Sequence, residues 1–140
     1  MELDRHGLET LDREQCLRLL AGRSVGRVAI TINALPAIFP VNYALLDGDI
    51  VFRSSPGSKL TAAAQRAVVA FEVDDVDNPT DSAWSVLVVG PASEITEEPE
   101  IARARSLPLP PWAPDSKCHY IRVRSELVSG RRTDRSPMSS

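Results

Sequence analysis

The stretch Phe52-Arg53-Ser54-Ser55-Pro56-Gly57-Ser58-Lys59-Leu60 follows an apolar run and precedes an Ala-rich segment at residues 61–65. This order predicts a strand that passes through a short turn into a helix N-terminus. Free N–H groups and the helix dipole favour an anion at such a point. Ser58 suits the N-cap, and Arg53 and Lys59 add cationic donors that suit a phosphate monoester. On these residues alone, an anion site and a capped helix flanked by two solvated cations are equally good interpretations.

The rest of the chain has the composition of an ordinary globular protein, with 140 residues, of which 43% are hydrophobic and 25% charged. We expect one domain over residues 1–132 and a disordered tail over residues 133–140. The net charge of -3 gives no basic footprint for nucleic acid, and no apolar run is long enough to span a membrane. The charged N-terminus lacks the apolar core of a signal peptide. We therefore expect a cytoplasmic protein in which Cys16 and Cys118 are reduced and packed in the core.

Hydrophobic periodicity divides the chain into short strands and helices. Six strands are predicted, at residues 25–32, 37–46, 50–53, 68–73, 84–92 and 119–124. Three short helices are predicted, one after an Asp12–Gln15 capping box and stopped by Gly22, one at Thr61–Gln65, and one over Glu100–Ser106 with Pro99 as its first residue. Because most of these strands are neighbours in sequence, they favour a mainly β fold, a six-stranded antiparallel split barrel with short flanking helices.

Several local features refine this prediction. Pro40 interrupts the second strand and indicates an edge or a bulge. Residues 74–79 are polar and predict a connection, whereas residues 86–89 predict a strand segment buried on both faces or nearly so. The Pro-rich residues 107–114 predict an extended segment over the surface, with Trp112 packed back on the body.

At this point the order of segments resembles the pyridoxamine 5'-phosphate oxidase-like flavoproteins, the FMN-binding split barrels, and in particular their small actinobacterial branch. The match covers roughly residues 10 to 132, and it lies in the order and spacing of the motifs, none of which is specific alone. The matching segments are Val25-Gly26-Arg27-Val28-Ala29, Phe39-Pro40-Val41-Asn42-Tyr43, Phe52-Arg53-Ser54, Gly57-Ser58-Lys59-Leu60, Val69-Ala70-Phe71-Glu72-Val73-Asp74, Trp84-Ser85-Val86-Leu87-Val88-Val89-Gly90-Pro91-Ala92, Tyr120-Ile121-Arg122 and Gly130-Arg131-Arg132.

The resemblance implies a cofactor and the residues that hold it. The FMN phosphate would be held by Arg53, Ser54, Ser58 and Lys59. The flavin ring would contact two strand segments, Pro40, Val41 and Asn42 on one and Trp84, Ser85 and Val86 on the other. A homodimer with the flavin at its two-fold interface is also implied.

The resemblance further implies a flavin-dependent oxidoreductase that acts on a small organic substrate. Two alternatives stay open, a non-catalytic flavin-binding or redox-sensing module and a deazaflavin-dependent reductase. Haem is disfavoured because the chain has only two histidines. The residues identify no catalytic group. The substrate-contacting C-terminal Trp and Arg of true pyridoxamine phosphate oxidases have no counterpart here, and Arg53 stands where nitroimidazole-resistance relatives have a histidine.

Other kinds of site find less support in the sequence. A zinc site at Cys118 and His119 would need two further ligands, and adjacent strand residues point to opposite faces. The Ser, His and Asp residues show no hydrolase signature. The aspartates between Asp74 and Asp81 miss the calcium-loop spacing and favour a solvated turn. Four C-terminal arginines, at positions 122, 124, 131 and 132, favour a solvated sheet face over a site for a second anionic ligand.

Overall fold

The computed structural model describes residues 8–55, 57–77, 82–110 and 119–133. Eight strands and three helices follow one another along this part of the chain. They are β1 (Leu8–Leu11), α1 (Arg13–Ala21), β2 (Val25–Ile32), β3 (Leu35–Leu46), β4 (Asp49–Ser54), α2 (Lys59–Ala64), β5 (Val68–Asp77), β6 (Ser82–Glu94), α3 (Glu98–Arg105), β7 (His119–Val123) and β8 (Leu127–Thr133). In the described ranges, no helix is long and apolar enough to cross a membrane.

Six of the strands close into an antiparallel barrel, as the sequence predicts. Their order around the barrel is β6-β5-β2-β3-β4-β7, and pairing between β7 and β6 closes it. Two strands pair with their two barrel neighbours over different parts of their length, and this splits the barrel. In β3, residues 35–42 pair with β2 and residues 43–46 with β4. In β6, residues 82–91 pair with β5 and residues 92–94 with β7.

Because β4 pairs only with residues 43–46 of β3, the other edge of residues 35–42, away from β2, has no strand neighbour among the described residues. Pro40 lies in this free edge, opposite Arg27 of β2. A proline has no N–H to donate and is tolerated where a strand has an open side. The edge predicted from Pro40 is therefore confirmed.

The core lies inside the barrel and follows the two-residue period of its strands. On β5, Val69, Phe71 and Val73 are almost completely buried, and on β6 Val86 and Val88 are fully buried. The prediction that β6 is buried on both faces is wrong, because Leu87 is 40% exposed. No described element covers this side of β6, so its alternate apolar residues face solvent.

The segment predicted as a polar connection belongs largely to strand. β5 continues to Asp77, and its last residues pair with the start of β6, with Val76 opposite Ala83. The aspartates of this segment therefore lie in a strand rather than in a turn, and residues 78–81 are outside the described residues. Backbone pairing along a two-stranded extension outweighs the low strand propensity of aspartate.

The predicted start and end of helix α1 are confirmed. The Asp12 carboxylate accepts from the Gln15 N–H at 2.8 Å, the Gln15 side chain accepts from the Asp12 N–H at 2.9 Å, and Gly22 is the C-cap. α2 has Ser58 as its N-cap, as predicted. α3 begins one residue earlier than predicted, at Glu98, and Pro99 occupies its second position.

Strands β1 and β8 were not predicted, and they extend the sheet beyond β6. β8 passes close to α1 at Gly130, where an added Cβ would lie 2.6 Å from the Cys16 Sγ. Cys16 is fully buried and is a free thiol, as expected, and burial raises its pKa; Cys118 lies outside the described residues. Thr133, the first residue of the predicted tail, is the last residue of β8, and residues 134–140 are outside the described residues.

Helix α3 and the segment after it cover the outer side of β4 and β7. They form a second apolar cluster that includes Val51, Ala104, Leu109 and Tyr120. The predicted extended segment is thus seen as far as Pro110, with Leu109 buried, while Trp112 lies outside the described residues. This cover distinguishes the β4–β7 side of the barrel from the uncovered β2–β5–β6 side.

Candidate functional site

The junction between β4 and α2 brings together the four residues predicted to hold a phosphate. β4 ends at Ser54, and α2 begins at Lys59 directly after its N-cap, Ser58. The Ser58 Oγ accepts from the N–H of Thr61 at 3.0 Å. Arg53, Ser54, Ser58 and Lys59 therefore occupy one short strand–turn–helix connection, as the sequence predicts for the backbone.

Thr61, which was not predicted as a site residue, organises the hydroxyl groups of this junction. Its hydroxyl donates to the Ser55 carbonyl at 2.8 Å and accepts from the Ser58 hydroxyl at 2.9 Å. The Ser54 hydroxyl lies 2.5 Å from the Thr61 oxygen and 3.1 Å from that of Ser58. Each hydroxyl has one proton, so all three protons are engaged within this cluster. Ser54 and Ser58 would have to turn a proton outward in order to donate to a bound anion.

The two cations of the junction differ in how firmly they are held. Arg53 donates from Nη1 to the Pro110 carbonyl at 2.8 Å, and its guanidinium lies 5.7 Å from the centre of the Tyr120 ring. The Arg53 Nε is buried and has no hydrogen-bond partner in the described part of the chain. Lys59 is exposed, and none of the described acidic groups forms an ion pair with it. The junction thus offers one orphaned donor and one exposed cation, which fits an anionic group.

A histidine–carboxylate pair stands beside the junction. His119 is the register partner of Ser54 across β4 and β7, and its Nδ1 lies 2.9 Å from the Glu94 carboxylate. Glu94 also accepts from the Gln65 side chain at 3.0 Å. The Glu94 carboxylate therefore lies between the Gln65 amide and the His119 ring, whose buried Nδ1 forms no hydrogen bond within the described residues. Within the described ranges, no group of three or more His, Cys, Asp or Glu side chains is arranged to hold a metal ion.

The residues predicted to contact a flavin ring divide between two faces. Val41 and Val86 are buried in the barrel core, so only their backbone groups could reach a ligand. Pro40, Asn42 and Ser85 alternate with them and point outward. Pro40 and Asn42 also lie in the free edge of β3, where the described strands provide no partner for the outward-facing peptide groups.

Trp84 lies at the inward side of β6 and packs partly against the core. The guanidinium of Arg23 lies over its indole ring, 5.5 Å from the ring centre, and is held there by an ion pair with Asp75. A cation above an indole face is attracted by the ring quadrupole. Trp84 is therefore fixed from one side within the chain, and it is not on the face that Ser85 occupies.

We define the outward face as the outward-pointing residues of β3, β2, β5, β6 and β8. An open groove of about 380 Å³ crosses it between the two strands predicted to contact the ring. Ala29 and Ala70 are neighbours at its floor, and Ile38 and Leu87 line it as larger apolar groups. Small residues beside large ones make this depression, and its lining is mostly apolar.

Three charged residues complete the lining of the groove. Arg27 Nη1 lies 3.2 Å from the Glu72 carboxylate and 3.4 Å from that of Asp74. Burial and the neighbouring Asp74 carboxylate raise the pKa of Glu72 to about 6, against the opposing effect of Arg27. Sequence analysis weighed Asp74 only as a calcium ligand and assigned no role to Arg27 or Glu72. Their signal is the Glu72-x-Asp74 spacing, which places two carboxylates on the outer side of an otherwise apolar strand.

Exposed apolar side chains concentrate on the outward face. Seven large hydrophobic residues are exposed in the described part of the chain, and six of them point outward from these strands. The exception is Leu35. The six are Val25, Ile38, Val68, Val76, Leu87 and Leu127. Exposed apolar side chains gathered on one face are typical of a contact site.

The predicted solvated strip of C-terminal arginines is wrong at Arg122, whereas the Arg132 side chain is 46% exposed. The Arg122 side chain is only 12% exposed and forms ion pairs with Asp49 and Glu100, both at 2.9 Å. Arg132 pairs with Glu9, which is itself buried. These arginines join elements that are distant in sequence, so they do not form a free anion site.

Comparison with known proteins gives consistent matches over nearly the whole chain. The family model described as pyridoxamine 5'-phosphate oxidase matches residues 12–132. The Mycobacterium tuberculosis protein Rv0080, named as an uncharacterized protein, is 38% identical over 127 residues, which cover 87% of this chain and 83% of the relative.

Among the similar solved structures, two with at least 25% identity have names that refer to FAD binding. The FAD binding protein from Mycobacterium smegmatis superposes with a TM-score of 0.80 at 35% identity, covering 89% of this chain and 98% of that one. A FAD-binding protein from Mesorhizobium loti superposes with a TM-score of 0.73 at 25% identity, covering 89% and 96% of the two chains.

Proposed function

Because this chain belongs to the pyridoxamine 5'-phosphate oxidase family, we propose that it binds a flavin and acts with it as an oxidoreductase on a small organic substrate. The observation that carries this proposal is the match to the FAD binding protein of Mycobacterium smegmatis, which spans 98% of that protein. When bound, the flavin would supply the electron-transfer chemistry. The protein residues would bind the cofactor, orient it and limit its contact with water.

The phosphate end of the flavin is assigned to the β4–α2 junction. The orphaned Arg53 Nε and the exposed Lys59 support this assignment, since both are cationic donors without an acceptor there. Ser54 and Ser58 would contribute only after turning a proton away from Thr61. We therefore expect the cations to contribute more to phosphate affinity than the hydroxyls.

The ring is assigned to the free edge of β3 and the neighbouring outward face. Pro40 and Asn42 would contact it there, with Val41 contributing backbone groups, and Ser85 would contact it from β6. The apolar groove and the unpaired peptide edge support this assignment, because a flavin ring is flat and has one polar edge. Trp84 and Val86 point into the barrel, so direct contact with the ring is expected from their backbone groups only.

We propose FMN as the cofactor, as the sequence predicts. FAD is the second candidate, because the two flavin-named structures are described as FAD-binding. FAD contains the FMN moiety with a further nucleotide on its phosphate, so the same junction suits both molecules. Deazaflavin and a cytoplasmic location stay predictions.

The flavin site is proposed to be completed by a second copy of the chain. Six exposed hydrophobic residues lie on the outward face, and none of the described elements covers them. A stable homodimer through this face would remove them from water, which is a favourable change of roughly 25 cal/mol for each Å² of apolar surface. The predicted ring contacts, Pro40 and Ser85, share this face, so the cofactor would lie at the interface.

The first experiment identifies the cofactor in freshly purified protein. Its absorbance spectrum and mass spectrometry of the released ligand distinguish FMN, FAD and deazaflavin. Colourless protein whose melting temperature is unchanged by all three molecules would refute the proposal. Oxidation of reduced nicotinamide by flavin-loaded protein then distinguishes an oxidoreductase from a module that only binds.

Variants test the phosphate assignment. Hydrogen bonds to charged groups are worth about 1.5–3 kcal/mol, or roughly ten- to hundredfold in affinity. We expect Arg53→Gln and Lys59→Ala each to weaken FMN binding by this factor and to leave riboflavin, which lacks the phosphate, unaffected. Arg18→Ala, an exposed cation on α1, is the matched control. Equal loss of FMN and riboflavin affinity would move the phosphate elsewhere.

A further inference from the structure

The outward face has charged groups among its apolar residues. Arg27 contacts both Glu72 and Asp74 through the same nitrogen, Nη1, and both distances are long for a charge-assisted hydrogen bond. No described residue accepts from the Arg27 Nη2 or Nε. The guanidinium therefore retains donors that point to no acceptor in the described part of the chain.

The two carboxylates of this cluster share a single positively charged neighbour. One arginine faces two carboxylates on the same strand, and the raised pKa of Glu72 is caused first by burial and then by Asp74. Around them lie Ile38, Leu87 and the alanines of the groove floor. Covering such a surface with a purely apolar partner would bury an undercompensated carboxylate, which is unfavourable. The partner must therefore bring cationic donors to this position.

A second copy of the same chain brings such a donor, its own Arg27, and its two carboxylates offer acceptors to the Arg27 donors that no described residue uses. We propose that two copies associate through their outward faces in a two-fold arrangement in which Arg27 of each copy binds the Glu72–Asp74 pair of the other. In a two-fold interface each residue pair occurs twice, so a patch carrying both signs side by side is complementary to itself. The proposal rests on the homodimer argued above and adds the charge pairs that set its register.

A charge-swap experiment tests this pairing. One variant is Arg27→Glu, and the other combines Glu72→Lys with Asp74→Lys. Each alone places like charges opposite each other, and we expect its dimer dissociation constant to rise at least about tenfold in sedimentation equilibrium. An equimolar mixture of the two is expected to regain dimers, seen as heterodimers in native mass spectrometry. Arg18→Glu on α1 is the control reversal and should leave the constant unchanged.

A second measurement keeps the test valid if a variant folds poorly, which circular dichroism would reveal. The wild-type dissociation constant is compared at 50 mM and 500 mM NaCl, about a threefold change in the Debye screening length. We expect weaker association at high salt. Variants that dimerise as the wild type does would overturn the charge pairing and leave the apolar homodimer standing. A wild-type chain that stays monomeric at high concentration would overturn both, whereas a colourless dimer would refute only the flavin proposal.

Discussion

The two sides of β5 and β6 differ in the burial and polarity of their side chains. The inner side carries Phe71, Val86 and Val88, which are fully buried in the hydrophobic core. The outer side of the same strands carries small, charged or exposed apolar residues. The difference shows that the two faces of one strand can have separate roles. The inner residues form the barrel core, and the outer residues are available to contact another molecule.

The largest effect on the free energy of unfolding is expected from truncating a core side chain on the inner side. Phe71 is fully buried, packs edge-to-face on Tyr43 at 4.8 Å and fills the space above Gly26. Phe71→Ala should lower the free energy of unfolding by about 3–5 kcal/mol. Leu87→Ala, on the outer side, should cost below about 1 kcal/mol in dilute protein. Urea denaturation measures both, and equal losses would mean that the outer side is covered within the chain.

A smaller effect is expected where the inner packing reaches α1. A Cβ at position 130 would lie 2.6 Å from the Cys16 Sγ and 3.2 Å from the Leu11 Cδ1. Gly130→Ala should therefore cost about 1–3 kcal/mol by overpacking. Cys16→Ala removes the sulfur, so the double variant should lose less than the sum of the single losses. Strictly additive losses in urea denaturation would show that the sulfur is not the obstacle.

The smallest effect is expected on the outer side, where Glu72 makes stability depend on pH. The pKa of Glu72 is raised to about 6 from an ordinary value of 4.5, so the folded chain binds more protons between these pH values. Stability should therefore fall as the pH rises through this window. Since the side chain is 35% exposed, solvent screening limits the change to below about 1 kcal/mol.

Glu72→Gln should flatten this dependence between pH 4.5 and pH 8 in dilute protein. Glu126→Gln, an exposed carboxylate near β8, is the matched control and should keep the wild-type slope. An unchanged slope in Glu72→Gln would mean that the folded and unfolded states bind the proton equally.

Periodicity predicted the barrel well because its inner residues depend only on their own strand. Val28, Ile30 and Phe71 alternate with exposed or small residues, and the ends of each predicted strand lie within four residues of the observed ends. The capping box of Asp12 and Gln15 was equally local. Strands β1 and β8 were missed because the arginine that joins them, Arg132, has its partner 123 residues away at Glu9.

The candidate site was only partly predictable for the same reason. Ser58 as an N-cap followed from local sequence, and the flavin followed from the resemblance to a family. The role of Thr61 depends on hydroxyl geometry, and the hold of Pro110 on Arg53 spans 57 residues. Leu87 was expected to be buried because an apolar run does not reveal whether a second layer covers the strand.

The free edge of β3 has a consequence for the handling of the protein. Unpaired peptide groups along residues 35–42 form a template on which a strand from another molecule could add, leading to aggregates. Pro36 and Pro40 interrupt the row of N–H donors there. Replacing both with threonine would restore a continuous row, so the double variant should form fibres or precipitate during storage at concentrations where the wild type stays clear.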